Sequence, residues 1–96
     1  MDKENITYTL VFEEQAKKEI KALKKSEKQA YNKLLKLLEE LQEHPTSGTG
    51  QVEALKYDFS GYYSRRVSKK HRLIYKIDDE KIIVSIISVT EHYKKK

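Results

Sequence analysis

Arg66 and Arg72 sit on either side of the polar run Ser68-Lys69-Lys70, within the stretch Tyr62-Tyr63-Ser64-Arg65-Arg66-Val67-Ser68-Lys69-Lys70-His71-Arg72-Leu73-Ile74-Tyr75. If that run is the loop of a hairpin, the two arginines face each other across the strands, and the alternation of a strand puts both guanidiniums on one side. Directly opposed like charges destabilise a sheet. Such a pair either points into water or waits for an anion, and phosphate is the natural one because the guanidinium fork matches its oxygens in pairs. A merely solvated basic hairpin presents the same residues.

The two arginines would share their side with Tyr62, Ser64, Ile74 and Lys76, while Val67, Leu73, Tyr75 and Ile77 take the other. Aromatic and basic residues together on an uncovered sheet face resemble a nucleic-acid platform, where phosphates meet cations and bases stack on rings. Tyrosine is equally an ordinary half-buried strand residue. His71 falls on the apolar side and reads as structural, and His44, in a loop before Pro45, offers no chemistry. With three histidines and no cysteine, no metal-ligand spacing is present, and no cofactor is implied.

The elements that must position this hairpin follow from periodicity. Ile6 to Val11 alternate as a first strand. Phe12, Ala16, Ile20 and Leu23 then recur at helical spacing, with Glu13 and Glu14 in the first turn and Lys24 and Lys25 in the last. Ser26-Glu27-Lys28-Gln29 has the spacing of a capping box that would open a second helix, whose apolar stripe is Ala30, Leu34, Leu37, Leu38 and Leu41. That helix must stop near His44, before Pro45 and the loop Thr46 to Gly50. Four strand candidates follow, Glu53 to Tyr57, Tyr62 to Val67, His71 to Ile77 and Lys81 to Val89, with turns at Asp58 to Gly61 and Asp78 to Glu80. The expected fold is an α+β two-layer sandwich: an N-terminal strand and an antiparallel helix hairpin packed on an antiparallel β-sheet.

At 96 residues the chain is long enough for one small domain, 1–96, with one modest core. Its net charge of +5 is uneven. Residues 1–48 carry nine Lys/Arg and nine Asp/Glu, whereas residues 49–96 carry eleven and six, so the whole excess belongs to the later strands and the Lys94-Lys95-Lys96 tail. A basic surface of this kind suits a polyanionic partner. The lack of cysteine removes disulfides and thiolate chemistry. No apolar run nears the roughly 20 residues of a bilayer span, and Met1 to Asn5 contain no signal-type apolar segment. The expectation is a cytoplasmic protein with no membrane partner.

The series Glu53-Ala54-Leu55-Lys56, Ser60-Gly61-Tyr62-Tyr63-Ser64-Arg65-Arg66-Val67, His71-Arg72-Leu73-Ile74-Tyr75 and His92-Tyr93 resembles, in order, the motifs of YoeB/Txe toxins of the RelE-type superfamily, the toxic halves of bacterial type II toxin–antitoxin modules. The resemblance implies a metal-independent endoribonuclease that cuts messenger RNA in the decoding site of the ribosome. Carried over residue by residue, it makes Glu53 the general base, Arg66 and Arg72 the phosphate-binding arginines, His92 the general acid and Tyr93 the residue beside the acid. Lys56 would line the same groove, and Tyr62, Arg65, Lys69 and Lys70 would contact substrate. It also implies an acidic YefM/Axe-like antitoxin as partner, leaves a homodimer open, and allows DNA contact only through the antitoxin. The Lys94-Lys95-Lys96 extension departs from the family, in which His92-Tyr93 usually closes the chain. A non-catalytic binding module of the same fold, gripping an antitoxin or nucleic acid, or a relative poisoning another target, is the alternative.

Overall fold

The computed structural model describes residues 6–55 and 61–90. In chain order they form β1 (Thr9–Phe12), α1 (Glu14–Ser26), α2 (Lys28–Leu41), β2 (Glu53–Ala54), β3 (Tyr62–Arg66), β4 (Arg72–Asp78) and β5 (Ile83–Thr90). The strands make one five-stranded sheet in the order β1-β5-β4-β3-β2. The leucine stripe of α2 and the apolar side of α1 pack on one face, burying Leu23, Leu34, Leu37 and Leu41 against Leu73, Tyr75, Val84, Ile86 and Val89. This is the two-layer α+β sandwich expected from the order of elements.

The sheet is mixed, which corrects the expectation of an antiparallel one. The later strands pair antiparallel, as their short links require. β1 instead runs parallel to β5, with Thr9 opposite Ile83 and Phe12 opposite Ile86. Two helices and three strands separate the two, so no tight turn dictates their relative direction.

Local boundaries shift for identifiable reasons. Phe12, expected on the first helix, closes β1, because the ladder to β5 continues through the Glu13 N–H to the Ile86 carbonyl at 3.0 Å and holds Glu13 extended. Ser26 does not cap α2. It ends α1, where its hydroxyl donates back to the Ala22 carbonyl at 3.0 Å, a bond a serine in a last turn finds without leaving the helix. Glu27 makes the corner, with φ −140° and ψ 79°. α2 ends at Leu41, and single turns from the Glu40 carbonyl to the Glu43 and His44 N–H groups carry the chain on toward Pro45.

A bulge in β5 matters more to the core. Ile74 faces Ser88 while Tyr75 faces Ile86, which leaves Ile87 as the extra residue. Without it Ile86 and Val89, three apart, would point to opposite faces. With it both lie under the helices and are almost wholly buried. The opposite face, which neither α1 nor α2 covers, carries Tyr62, Ser64, Arg66, Arg72, Ile74 and Lys76, as the alternation predicts.

Candidate active site

The β3–β4 turn sets the register of the site. The N–H groups of Val67 and Ser68 donate to the His71 carbonyl at 2.9 and 3.2 Å, and the Ser68 hydroxyl accepts from the N–H groups of Lys70 and His71 at 3.2 and 3.1 Å. His71 is therefore a turn residue, its Nδ1 lying 3.1 Å from the same hydroxyl. The outcome is the expected pairing of Arg66 with Arg72.

Their surroundings are unequal. Arg72 donates from Nε and Nη2 to the Ser64 hydroxyl at 3.3 and 3.0 Å, and from Nη2 to Glu53 Oε1 at 3.2 Å. Glu53 comes from β2, where it faces Ser64 across the ladder, so the three groups converge from three adjacent strands. The Arg72 side chain is 22% exposed and that of Glu53 66%, so the cation is seated while the carboxylate opens to water. Arg66 is exposed, and among the described residues its guanidinium has no ion-pair or hydrogen-bond partner. A seated cation beside a carboxylate, with a second free guanidinium across the strand, suits a phosphodiester: oxygens can bridge the two arginines while the carboxylate reaches a neighbouring hydroxyl.

Ser64 is the site residue that sequence reasoning missed. It lies on the predicted face, yet nothing in its type announced a role. The signal was its size: one small hydroxyl among Tyr62, Arg66 and Arg72 leaves room for a guanidinium to lie over it, and it is 0% exposed beneath Arg72.

Arg65 is not available to substrate, contrary to expectation. Strand alternation turns it to the helix side opposite Leu73, where it is 0% exposed. Its guanidinium donates to Glu40 Oε1 at 2.8 Å, to the Thr49 and Ser47 carbonyls at 3.3 and 2.8 Å and to the His44 carbonyl, while its Nε meets the Tyr75 hydroxyl at 3.1 Å. A buried guanidinium needs all its N–H groups satisfied, and the loop before β2 supplies most of the acceptors.

Residues 12–93 match the family model described as the YoeB-like toxin of bacterial type II toxin-antitoxin systems. This chain belongs to that family. It is 35% identical over 68 residues to the toxin YoeB of Streptomyces coelicolor, covering 71% of this chain and 79% of the relative. Its fold is similar to that of the YoeB dimer from Staphylococcus aureus, with a TM-score of 0.79 and 33% identity over 91% of this chain and 99% of the other. It is also similar to the toxin in the heterotetrameric YoeB–YefM complex from Staphylococcus aureus, with a TM-score of 0.77, 33% identity and coverage of 90% and 98%.

Other residues expected at this YoeB-like site divide. Tyr62 lies on the open face opposite Lys76, whose ammonium sits 5.4 Å from the centre of its ring. Lys69 is exposed in the turn. Lys70 pairs with Glu27 at 3.2 Å, which draws it toward the corner between the helices. Lys56, His92 and Tyr93 lie outside the described residues, one residue after Leu55 and two and three after Thr90 in sequence. Among the described residues no group of His, Asp and Glu could hold a metal ion, and no helix is long and apolar enough to cross a membrane.

Proposed function

We propose that this YoeB-like toxin is a ribosome-dependent endoribonuclease that cuts messenger RNA in the decoding site without a metal ion. The observation that supports this reading best is Arg72, held between Ser64 and Glu53 on the sheet face away from α1 and α2, with Arg66 free beside it. Glu53 takes the proton from a ribose 2′-hydroxyl, and the oxygen attacks the adjacent phosphorus. Arg66 and Arg72 stabilise the charge that grows on the phosphorane oxygens. As the bond from phosphorus to the 5′-oxygen breaks, His92 donates a proton to that oxygen, with Tyr93 beside it. The products are a 2′,3′-cyclic phosphate and a 5′-hydroxyl. Lys56, Lys69 and the ring of Tyr62 hold the strand by charge and stacking.

The working compartment is the cytoplasm, where translation occurs. The Staphylococcus aureus relative forms a heterotetramer with YefM, and by that likeness the partner here is an acidic antitoxin whose carboxylates take the phosphate positions at Arg66 and Arg72. A homodimer, as in the Staphylococcus aureus YoeB structure, belongs to the same reading. Expression without the partner is expected to arrest growth, and primer extension on translated mRNA to show breaks within codons. Arrested translation with intact mRNA would instead favour a non-catalytic binding module.

A further inference from the structure

Glu53 stands on a strand of two residues with most of its side chain in water, which is a weak mounting for a group that must meet a ribose hydroxyl. What holds it is found on the other face of the sheet. Residues 42–52 connect α2 to β2 without regular structure, and a connection of this length is usually mobile unless something orders it. Here it is bonded at its backbone from three elements. Arg65 of β3 takes the carbonyls of His44, Ser47 and Thr49. Tyr75 of β4 donates to the Pro45 carbonyl at 2.7 Å. Glu40 of α2 accepts the Thr49 N–H at 2.9 Å and its hydroxyl at 3.2 Å, besides its bond to Arg65. The loop then runs antiparallel to β3, with the Gly50 carbonyl accepting the Arg66 N–H at 2.6 Å. Gln51 follows at φ 52°, a conformation that persists only where the surroundings enforce it. Two residues later comes Glu53.

We infer that Arg65 and Glu40 are positioning residues for the reaction, acting through residues 44–50 to hold the Glu53 carboxylate beside Arg72. This rests on the nuclease reading above. Consecutive residues of β3 divide the task by face: Ser64 seats the cation, Arg65 orders the loop that carries the base, and the Arg66 N–H receives that loop.

The test uses the full chain carrying Glu40→Gln or Thr49→Val, substitutions at the partly exposed rim that leave the core intact. Leu23→Ala, in the core beneath α1, serves as a control for lost stability alone. Amide hydrogen exchange and single-turnover cleavage of translated mRNA are measured on each. Glu40→Gln is expected to speed exchange of the Arg66 and Leu55 amides while β4 and β5 stay protected. It is also expected to slow cleavage about tenfold or more at unchanged substrate affinity, since a misplacement of about 1 Å can cost ~10²-fold. Leu23→Ala is expected to lower the melting temperature with neither effect. An unchanged cleavage rate in Glu40→Gln and Thr49→Val, or an equal loss of rate in Leu23→Ala, overturns the inference. A wild-type chain that cleaves no RNA defeats the nuclease reading instead; unchanged Arg66 exchange then overturns the loop clamp, and faster exchange supports it.

Discussion

Arg66 and Arg72 face each other across the β3–β4 ladder, and only Arg72 is paired. The opposed charges are tolerated because their environments differ: Ser64 and Glu53 neutralise and seat one guanidinium, while water solvates the other. The asymmetry leads to different expectations for two residues that look equivalent in the chain.

Arg72, already aimed, is expected to act on the transition state. Arg72→Ala should lower the single-turnover rate of RNA cleavage by about 10²–10³-fold, as deletion of a preorganised oxyanion donor does. Arg66→Ala should mainly weaken substrate binding and reduce the salt slope of that binding by about one, the signature of a lost phosphate contact. Rates and affinities measured across salt concentrations separate the two. Equal losses of rate and affinity in both variants would show that the asymmetry has no catalytic meaning.

The hairpin register, the open face and the leucine stripe were legible because each rests on a period that few residues can break: two along β3 and β4, and the helical spacing along α2. Arg65 shows a rule of spacing holding against an expected role. Alternation places it with Tyr63 and Val67 toward the helices, although it was expected to contact substrate with Tyr62, Lys69 and Lys70. What the chain could not reveal is that Glu40 and the backbone carbonyls of His44, Ser47 and Thr49 converge on that spot, contacts spanning up to 25 residues. The Ile87 bulge was equally hidden, since Ile86-Ile87-Ser88-Val89 contains no glycine to mark it. Ser26 had the spacing of a cap, and the nearer carbonyl of Ala22 prevailed.

The buried ion pair of Arg65 with Glu40 gives a stability prediction. Arg65→Ala removes a wholly buried cation, leaves the His44, Ser47 and Thr49 carbonyls without its N–H groups and Glu40 without its counter-charge, and opens a cavity against Tyr75. Breaking a buried pair from one side typically costs about 3–5 kcal/mol, and that range is expected in urea unfolding. Lys70→Ala, which breaks the exposed pair with Glu27, should cost less than about 1 kcal/mol.

Glu40 makes part of that stability depend on pH. Burial by itself would raise its pKa, but the hydrogen bonds from the Thr49 N–H and hydroxyl together with the Arg65 charge outweigh it and hold the carboxyl below the ordinary value of 4.5. A group with a depressed folded pKa contributes stability that is fully present above its unfolded pKa and disappears as pH falls through the folded one. The difference in unfolding free energy between wild type and Glu40→Gln should thus stay constant above the ordinary carboxylate range and narrow below it. A difference that persists unchanged to strongly acid pH would mean that the charge of Glu40 contributes nothing.

Gly50 tests the loop from the side of its backbone. It adopts φ 95°, in the left-handed region that L side chains rarely occupy, and a Cβ there would lie 3.1 Å from the Arg66 carbonyl oxygen and 3.3 Å from Arg65 Cβ. Neither neighbour is free to yield: the carbonyl belongs to the β3 backbone, and Arg65 is fixed by its bonds to the loop. Gly50→Ala should therefore combine dihedral strain with a push of the loop away from β3, at a cost of about 1–3 kcal/mol in urea unfolding. Gly61 provides the contrast, having φ 89° but no atom of the described residues within 4 Å of an added Cβ, so Gly61→Ala carries the strain without that collision. The expected order is a larger loss for Gly50→Ala, with faster exchange of the Arg66 amide in that variant alone. Equal losses would mean that the close approach of the loop to β3 adds nothing to the strain of the glycine itself.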